Sequence, residues 1–313
     1  RRAGGGAGGA SPPAGWPWSP SRPRRRCAVI LFGLTLFLVG HSHANPLKDH
    51  WEQKLQVVKE RVEQAKTIDQ KQDALVSQAS ILNGLGRGEE ALELIETAIA
   101  LDERRAVPKT NKAKILFSLG RCDEAMAILL QNIRDTFRLT DELKKNPVPG
   151  APPNIYIALG KEDFITATYC FFLKGSMDSA VQSLGYFHDY ADPDVLGYRL
   201  AWYIILRKSG AQSQEQFDKW LEIYSRKIPP TFRGKIIEML NGGDQSEYVL
   251  RFIEENKEMA SFERQEAMSE VLFFSAMRNG RNLADKEELK KLNELSPFGS
   301  AEWFLGKQIF SEE

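Results

Sequence analysis

Along most of this chain apolar side chains return every three or four positions, the spacing at which residues share one face of an α-helix. Leu47, Trp51, Leu55, Val58, Val62 and Ala65 advance in this way while Lys and Glu fill the other side, which predicts an amphipathic helix within 45–68. Leu92, Ile95 and Ile99 form a second stripe. The pattern returns in Val195–Lys208, with Tyr198, Trp202 and Ile205 on one side and Gly210 as its stop. Ser213–Lys227 carries Phe217, Trp220, Leu221 and Tyr224 ahead of Pro229-Pro230. Phe232–Leu240, Ser246–Asn256, Phe262–Met277, Asp285–Leu295 and Ala301–Phe310 complete the series, punctuated by Asn241-Gly242-Gly243 and Asn279-Gly280. No segment alternates convincingly between apolar and polar residues as a half-buried strand would, so an all-α fold is expected.

Residues 69–138 repeat themselves. Gly86 and Gly120, Ala91 and Ala125, Ala79 and Ala113, Leu82 and Leu116, Leu85 and Leu119, and Arg87 and Arg121 are identical pairs, each 34 residues apart. In Leu85-Gly86-Arg87-Gly88-Glu89-Glu90-Ala91 a glycine can take the left-handed backbone that ends one helix, while Glu89 and Glu90 suit the positive N-terminus of the next. Small residues are needed where two helices cross closely, and Ala79, Ala91 and Ala98, then Ala113 and Ala125, meet that need. A repeat of this length resembles the tetratricopeptide (TPR) family. Leu85-Gly86-Arg87 through Ala98 to Leu101-Asp102 is similar to the TPR consensus, and Leu119 to Leu130 is a second match. Glu103 stands where that family usually has proline, which weakens the stop after the first unit.

Pro147, Pro149, Pro152 and Pro153 interrupt the repeat, so 139–153 is expected to be a linker. The register resumes at Phe164, Thr168, Phe171 and Leu173, runs into Lys174-Gly175-Ser176, places Ala180 five residues after the glycine and closes at Asp192-Pro193. The resulting organisation is an amphipathic helix (45–68), two TPR units (69–138), the linker (139–153) and divergent TPR-like repeats (154–313), an α-solenoid of antiparallel helix pairs.

Composition changes the picture mainly at the N-terminus. Residues 1–26 are rich in Gly, Ala, Pro and Arg, without periodicity, and read as a fragmentary or over-extended translation start or a disordered leader. Arg24-Arg25-Arg26, the apolar run Cys27–Gly40 and Ser42-His43-Ala44 describe a secretory signal cut after Ala44, with an apolar run too short to span a bilayer comfortably. Periplasmic or secreted location follows, with no stable membrane span after cleavage. The first 44 residues hold six of the 42 basic side chains and no acid, leaving 36 basic against 42 acidic, a net of −6. A mildly acidic mature chain is not expected to bind nucleic acid, which calls for a basic face. Cys122 and Cys170 remain after the signal and are expected as packing thiols, a single bridge in an oxidising compartment being the alternative.

A search for chemistry finds little. His50 and His188 are the histidines left after the signal, and His188-Asp189 has no Gly-x-Ser-x-Gly nucleophile to serve. Beyond residue 44 HExxH, CxxC, Walker and GxGxxG motifs are missing, so no catalytic residue, metal or cofactor is expected. Adjacent acid pairs such as Glu89-Glu90, Glu254-Glu255 and Glu287-Glu288 read as solvated helix faces.

Solenoids act through extended concave surfaces lined by the first helix of each pair. Asn83, Lys114, Phe117, Tyr169, Phe172, Arg199 and Tyr203 fall outside the packing set and are the expected groove residues, suited to an extended peptide or a partner helix. The later part, through Tyr198-Arg199-Leu200-Ala201-Trp202-Tyr203, Ile236-Ile237-Glu238-Met239-Leu240-Asn241-Gly242 and Glu270-Val271-Leu272-Phe273-Phe274, is similar to the NlpI-type TPR lipoproteins of the bacterial envelope. That resemblance implies a periplasmic adaptor that brings cell-wall hydrolases and a protease together, often as a homodimer. The chain departs from it in lacking a lipid-accepting cysteine after the cut. The expected function is an exported scaffold binding envelope proteins, with Leu47–Lys66 or Trp303, Phe304 and Phe310 as pairing surfaces between two copies. Alternatives are an assembly or secretion component for envelope polymers or outer-membrane proteins, and a secreted hydrolase built from dispersed acids and His188.

Overall fold

The computed structural model describes residues 46–148, 160–186, 192–242, 246–295 and 300–311, with Ile155 and Pro297 between them. The expected leader and signal, the linker residues from 149 to 153, and His188-Asp189 lie outside the described residues. Fourteen helices form among the described residues: α1 (Pro46–Gln64), α2 (Ile68–Gly84), α3 (Gly88–Leu101), α4 (Ala106–Ser118), α5 (Cys122–Lys145), α6 (Lys161–Leu173), α7 (Met177–Tyr186), α8 (Pro193–Lys208), α9 (Glu215–Arg226), α10 (Phe232–Gly242), α11 (Ser246–Glu255), α12 (Ser261–Ala276), α13 (Lys286–Glu294) and α14 (Ala301–Ser311). A short 3₁₀ turn, Arg281–Leu283, precedes α13, and no strand occurs among the described residues. Consecutive helices pack on one another, an arrangement compatible with an α-solenoid.

The repeated glycine turn is a hydrogen-bonded stop. Gly86, Gly120 and Gly175 hold φ of 77°, 76° and 74°, a left-handed backbone that a side chain would strain. The residue after each glycine reaches back into the helix just ended: Arg87 N–H to Leu82 O at 2.9 Å, Arg121 to Leu116 at 2.8 Å, Ser176 to Phe171 at 2.9 Å. These bonds satisfy carbonyls that a helix end otherwise leaves unpaired. A fourth copy stands at Gly210 (φ 107°), where Ala211 N–H meets Leu206 O at 2.9 Å. After the first three glycines the next helix starts at once, at Gly88, Cys122 and Met177, and Ala91, Ala125 and Ala180 in it are fully buried. Adjacent pairs also approach closely: a Cβ on Gly88 would lie 2.7 Å from Leu119 Cδ2, so only glycine fits there without moving the leucine.

Glu103 cannot end α3 as a proline would. Gln72 does so from α2: its fully buried amide donates to Ala98 O at 2.7 Å and Asp102 O at 3.0 Å, while Arg105 Nη1 donates to Gln72 Oε1 at 2.8 Å. The last carbonyls of α3 therefore find partners without a breaker residue. One expected boundary moves. The stretch read as linker from 139 begins inside α5, which continues to Lys145 with Thr136, Thr140 and Leu143 buried on one face and Asp135–Arg138, Arg138–Glu142 and Asp141–Lys144 paired along the exposed side.

The first helices of successive pairs form an inner layer in which α2 touches α4, α4 touches α6, α8 touches α10 and α10 touches α12. Its last member returns to the beginning: α14 packs on α12 and α13 and also reaches α4 and α6. Gln308 of α14 donates to Phe117 O of α4 at 2.9 Å, across 191 residues of sequence. Leu305 and Ile309 of α14 are buried in the same core as Leu116, Phe172 and Trp202.

Candidate functional site

The inner face around α14 is where polar chemistry concentrates, and the local sequence explains how each side chain reaches it. Tyr198 and Trp202 are four residues apart on α8, so both project from the same face. Glu266 and Glu270 have the same spacing on α12, and Glu302 lies in the first turn of α14. Trp202 is the hub of an aromatic cluster: ring centroids lie 5.3 Å from Tyr169, 5.4 Å from Phe172, 5.3 Å from Phe273 and 5.7 Å from Phe274. Phe117 joins through Tyr169 at 5.4 Å.

A cavity of about 250 Å³ opens beside this cluster, lined by Lys114, Glu162, Tyr169, Tyr198, Arg233, Glu266, Glu270 and Glu302 among others. Arg233 from α10 fixes one wall. It donates Nε and Nη2 to the two oxygens of Glu270 at 2.9 and 2.6 Å, and Nη1 to Asp194 at 2.9 Å, with its guanidinium 4.8 Å from the Tyr198 ring centre. A hydrogen-bonded line forms the other wall: the Tyr169 and Tyr198 hydroxyls are 2.5 Å apart, and Tyr198 donates to Glu302 Oε1 at 2.6 Å. At the rim Lys114 pairs with Glu162 at 3.1 Å.

Burial sets the protonation of this lattice. It pushes the Glu302 carboxyl up to about 8, the nearby Glu270 charge adding to the rise and the Tyr198 hydrogen bond opposing it. Burial also raises Glu270, against the pull of Arg233, and holds the Tyr169 and Tyr198 hydroxyls well above their ordinary value. Burial alone would lower Arg233, but Glu270 and Asp194 outweigh it and keep the guanidinium charged. At neutral pH the cavity thus presents the Arg233 guanidinium held between Glu270 and Asp194, a chain of neutral hydroxyls ending on a protonated carboxyl, and the mixed-charge rim.

A second cleft, of about 440 Å³, lies on the opposite flank of α14 and is lined by Asn83, Gly86, Gly88, Ser118, Leu119, Gly120, Trp303, Phe304, Lys307, Gln308 and Ser311. Asn83 donates to Ser118 Oγ at 3.0 Å across α2 and α4, and its own amide oxygen is buried. Lys307 sits over the Trp303 ring at 5.1 Å.

The residues expected in the groove do not share one surface. Asn83 and Lys114 stand half-buried, each lining one of the two cavities. Phe117, Tyr169 and Phe172 are brought together, but they are buried beneath α14 and do not face solvent. Arg199 and Tyr203 are corrected outright: they turn away from the inner face toward α7 and α9. Arg199, fully buried, donates to Leu184 O at 3.2 Å and lies over the Phe217 and Trp220 rings at 5.4 and 5.0 Å. Tyr203 stacks on Phe217 at 4.7 Å and donates to Asp218 at 2.6 Å. The sequence reading missed Tyr198, Arg233, Glu270 and Glu302. The available signal was an acid inside an apolar run, in Ser269-Glu270-Val271-Leu272 and Ala301-Glu302-Trp303-Phe304.

Among the described residues no group of three or more His, Cys, Asp and Glu side chains is placed to hold a metal ion, and no helix is long and apolar enough to cross a membrane. No protein-family model matches the chain, and no curated protein matches it.

Proposed function

We propose that this chain is a tetratricopeptide-type repeat adaptor, exported from the cytoplasm, whose inner helical face binds a segment of a partner protein. The seat of α14 is the observation that carries the reading. A largely buried helix already lies on the inner face, held by Leu305 and Ile309 in the core and by Glu302 and Gln308 near its two ends, so this surface has the shape and chemistry to receive a helix. The four hydrogen-bonded glycine turns, three of them followed by a buried alanine at one fixed offset, support the tetratricopeptide assignment. The clefts flanking α14 supply polar lining for such a segment, through Asn83, Ser118 and Gln308 on one side and Lys114 and Glu162 on the other. The signal-like N-terminal sequence and the sequence resemblance to NlpI-type proteins support a partner in the cell envelope.

A photo-crosslinking amino acid placed in turn at Lys114 and at Glu93, which is exposed on α3, tests this in cells of the native host. The reading expects a recurrent crosslinked protein from Lys114 and none from Glu93. Equal labelling from both positions, or none from Lys114, overturns it.

A further inference from the structure

Residues 46–313 contain two cysteines, and the fold brings them together. Cys122 is the first residue of α5 and Cys170 lies on α6; both are buried in one core cluster, the two helices pack on one another, and Lys174, one turn beyond Cys170, pairs with Asp123, next to Cys122, so the two thiols lie against each other. A buried side chain touches roughly 6–12 others, so two cysteines scattered at random over this span would meet in only about one chain in thirty. The juxtaposition follows from repeat geometry. The start of a second helix is covered by the first helix of the next pair, as Gly88 is by Leu119 in the preceding unit, and Cys122 occupies the position of Gly88 one repeat later.

The two thiols are not equivalent. Cys122 keeps 8 % of its surface open while Cys170 is sealed. The neighbouring Cys170 thiol favours the Cys122 thiolate, as do the Lys174 ammonium and its place at the positive N-terminus of a 24-residue helix, with burial opposing. Lys174 is held there by an ion pair with Asp123. The neighbouring Cys122 sulfur, with burial, pushes Cys170 up, so it stays protonated.

We propose that Cys122 and Cys170 are a reversible disulfide pair that fastens α5 to α6 when the chain meets a disulfide oxidant such as oxidised glutathione. The Cys122 thiolate attacks one oxidant sulfur, forming a mixed disulfide and expelling one glutathione thiolate. The Cys170 sulfur then attacks the Cys122 sulfur, releases its proton to solvent and expels the second glutathione thiolate. Two protein thiols are oxidised, one external disulfide is reduced to two thiols, and no further reactant is needed. Tyr169, next to Cys170, lines the inner-face cavity, so the bridge anchors a helix of that face. The pair is independent of the adaptor reading.

Reduced, desalted full chain is incubated with oxidised glutathione, quenched by alkylation and analysed by mass spectrometry alongside a melting curve. The proposal expects monomeric chain lighter by two hydrogens, both thiols protected, and a thermal midpoint raised by roughly 5–10 °C and restored by dithiothreitol. Thiols that stay alkylatable in the native chain while the same oxidant modifies the urea-unfolded chain overturn it. So do disulfides that form only between chains. Cys170→Ala is expected to hold a stable glutathione adduct on Cys122, and Cys122→Ala to remain unmodified; the reverse pattern overturns the order of attack. Far-UV circular dichroism checks that both variants fold, and the wild-type readout needs neither.

Discussion

A carboxyl group shut in among aromatic rings keeps its proton well above the pH at which it would ionise in water. Glu302, raised to about 8, is such a group. Between its ordinary value, near 4.5, and about 8 the folded chain holds a proton that the unfolded chain has released, so stability falls as pH rises through that window and levels off above it. Glu302→Gln keeps the neutral acid's shape and accepts from Tyr198 without ever ionising. Urea unfolding of this variant is expected to lose much of the decline between pH 5 and pH 8, and to exceed wild-type stability at pH 8.5 by on the order of a few kcal/mol. The same steepness in both proteins would show that Glu302 ionises freely. Gly120 makes a simpler prediction: with φ at 76°, Gly120→Ala is expected to cost about 1–2 kcal/mol in chemical denaturation, whereas Gly120→Asn, better tolerated in that conformation, costs less. Both glycines of the repeat were legible in the sequence because a left-handed turn is a local demand. Glu302 was legible only as an anomaly, since its environment is assembled from α6, α8 and α12.

Helices in this chain begin and end by two kinds of device. Local ones, the glycine stop and the acids of the next first turn, can be read from a few consecutive residues, and they recur at Gly86, Gly120, Gly175 and Gly210. The other kind is borrowed from a neighbour. Gln72 ends α3 from α2, in place of the proline that a tetratricopeptide unit would carry, and nothing in Leu101-Asp102-Glu103 announces it. Gln72→Leu fills the space but leaves the Ala98 and Asp102 carbonyls and the Arg105 guanidinium short of a partner. A loss of about 2–3 kcal/mol is expected, with faster amide exchange confined to the end of α3 and the start of α4. Uniform change in exchange across all helices would argue that Gln72 acts through global packing instead. The same contrast explains α5. Its extension to Lys145 buries Thr136, Thr140 and Leu143 on one face, a stripe mostly of polar residue types that reads as linker polarity in sequence, while i,i+3 and i,i+4 ion pairs line the exposed side.

At the scale of the molecule, α14 decides what the inner face is. Ending the chain at Leu295 would uncover Phe117, Tyr169 and Trp202 and strand Tyr198 without its acceptor. Such a chain is expected to bind the dye ANS strongly and to unfold with lower cooperativity. Leu305→Ala, which leaves the helix in place but opens a void beneath it, is expected to cost roughly 2–5 kcal/mol by calorimetry. A truncated chain that unfolds as wild type and binds no dye would mean that α14 is an appendage. Hydrophobic period, glycine spacing and small residues at crossings are properties of neighbours in sequence, and they determined the helical class, the paired organisation and the turn positions unaided. Which face stays open is another matter. It depends on where α14 comes to rest, and that is set by a contact between α14 and α4 spanning 191 residues. Burial of Phe117 and Phe172, the outward turn of Arg199 and Tyr203, and the meeting of Cys122 with Cys170 all follow from long-range packing, because whether a side chain meets solvent or another helix is set by what folds over it and not by its own stretch of sequence.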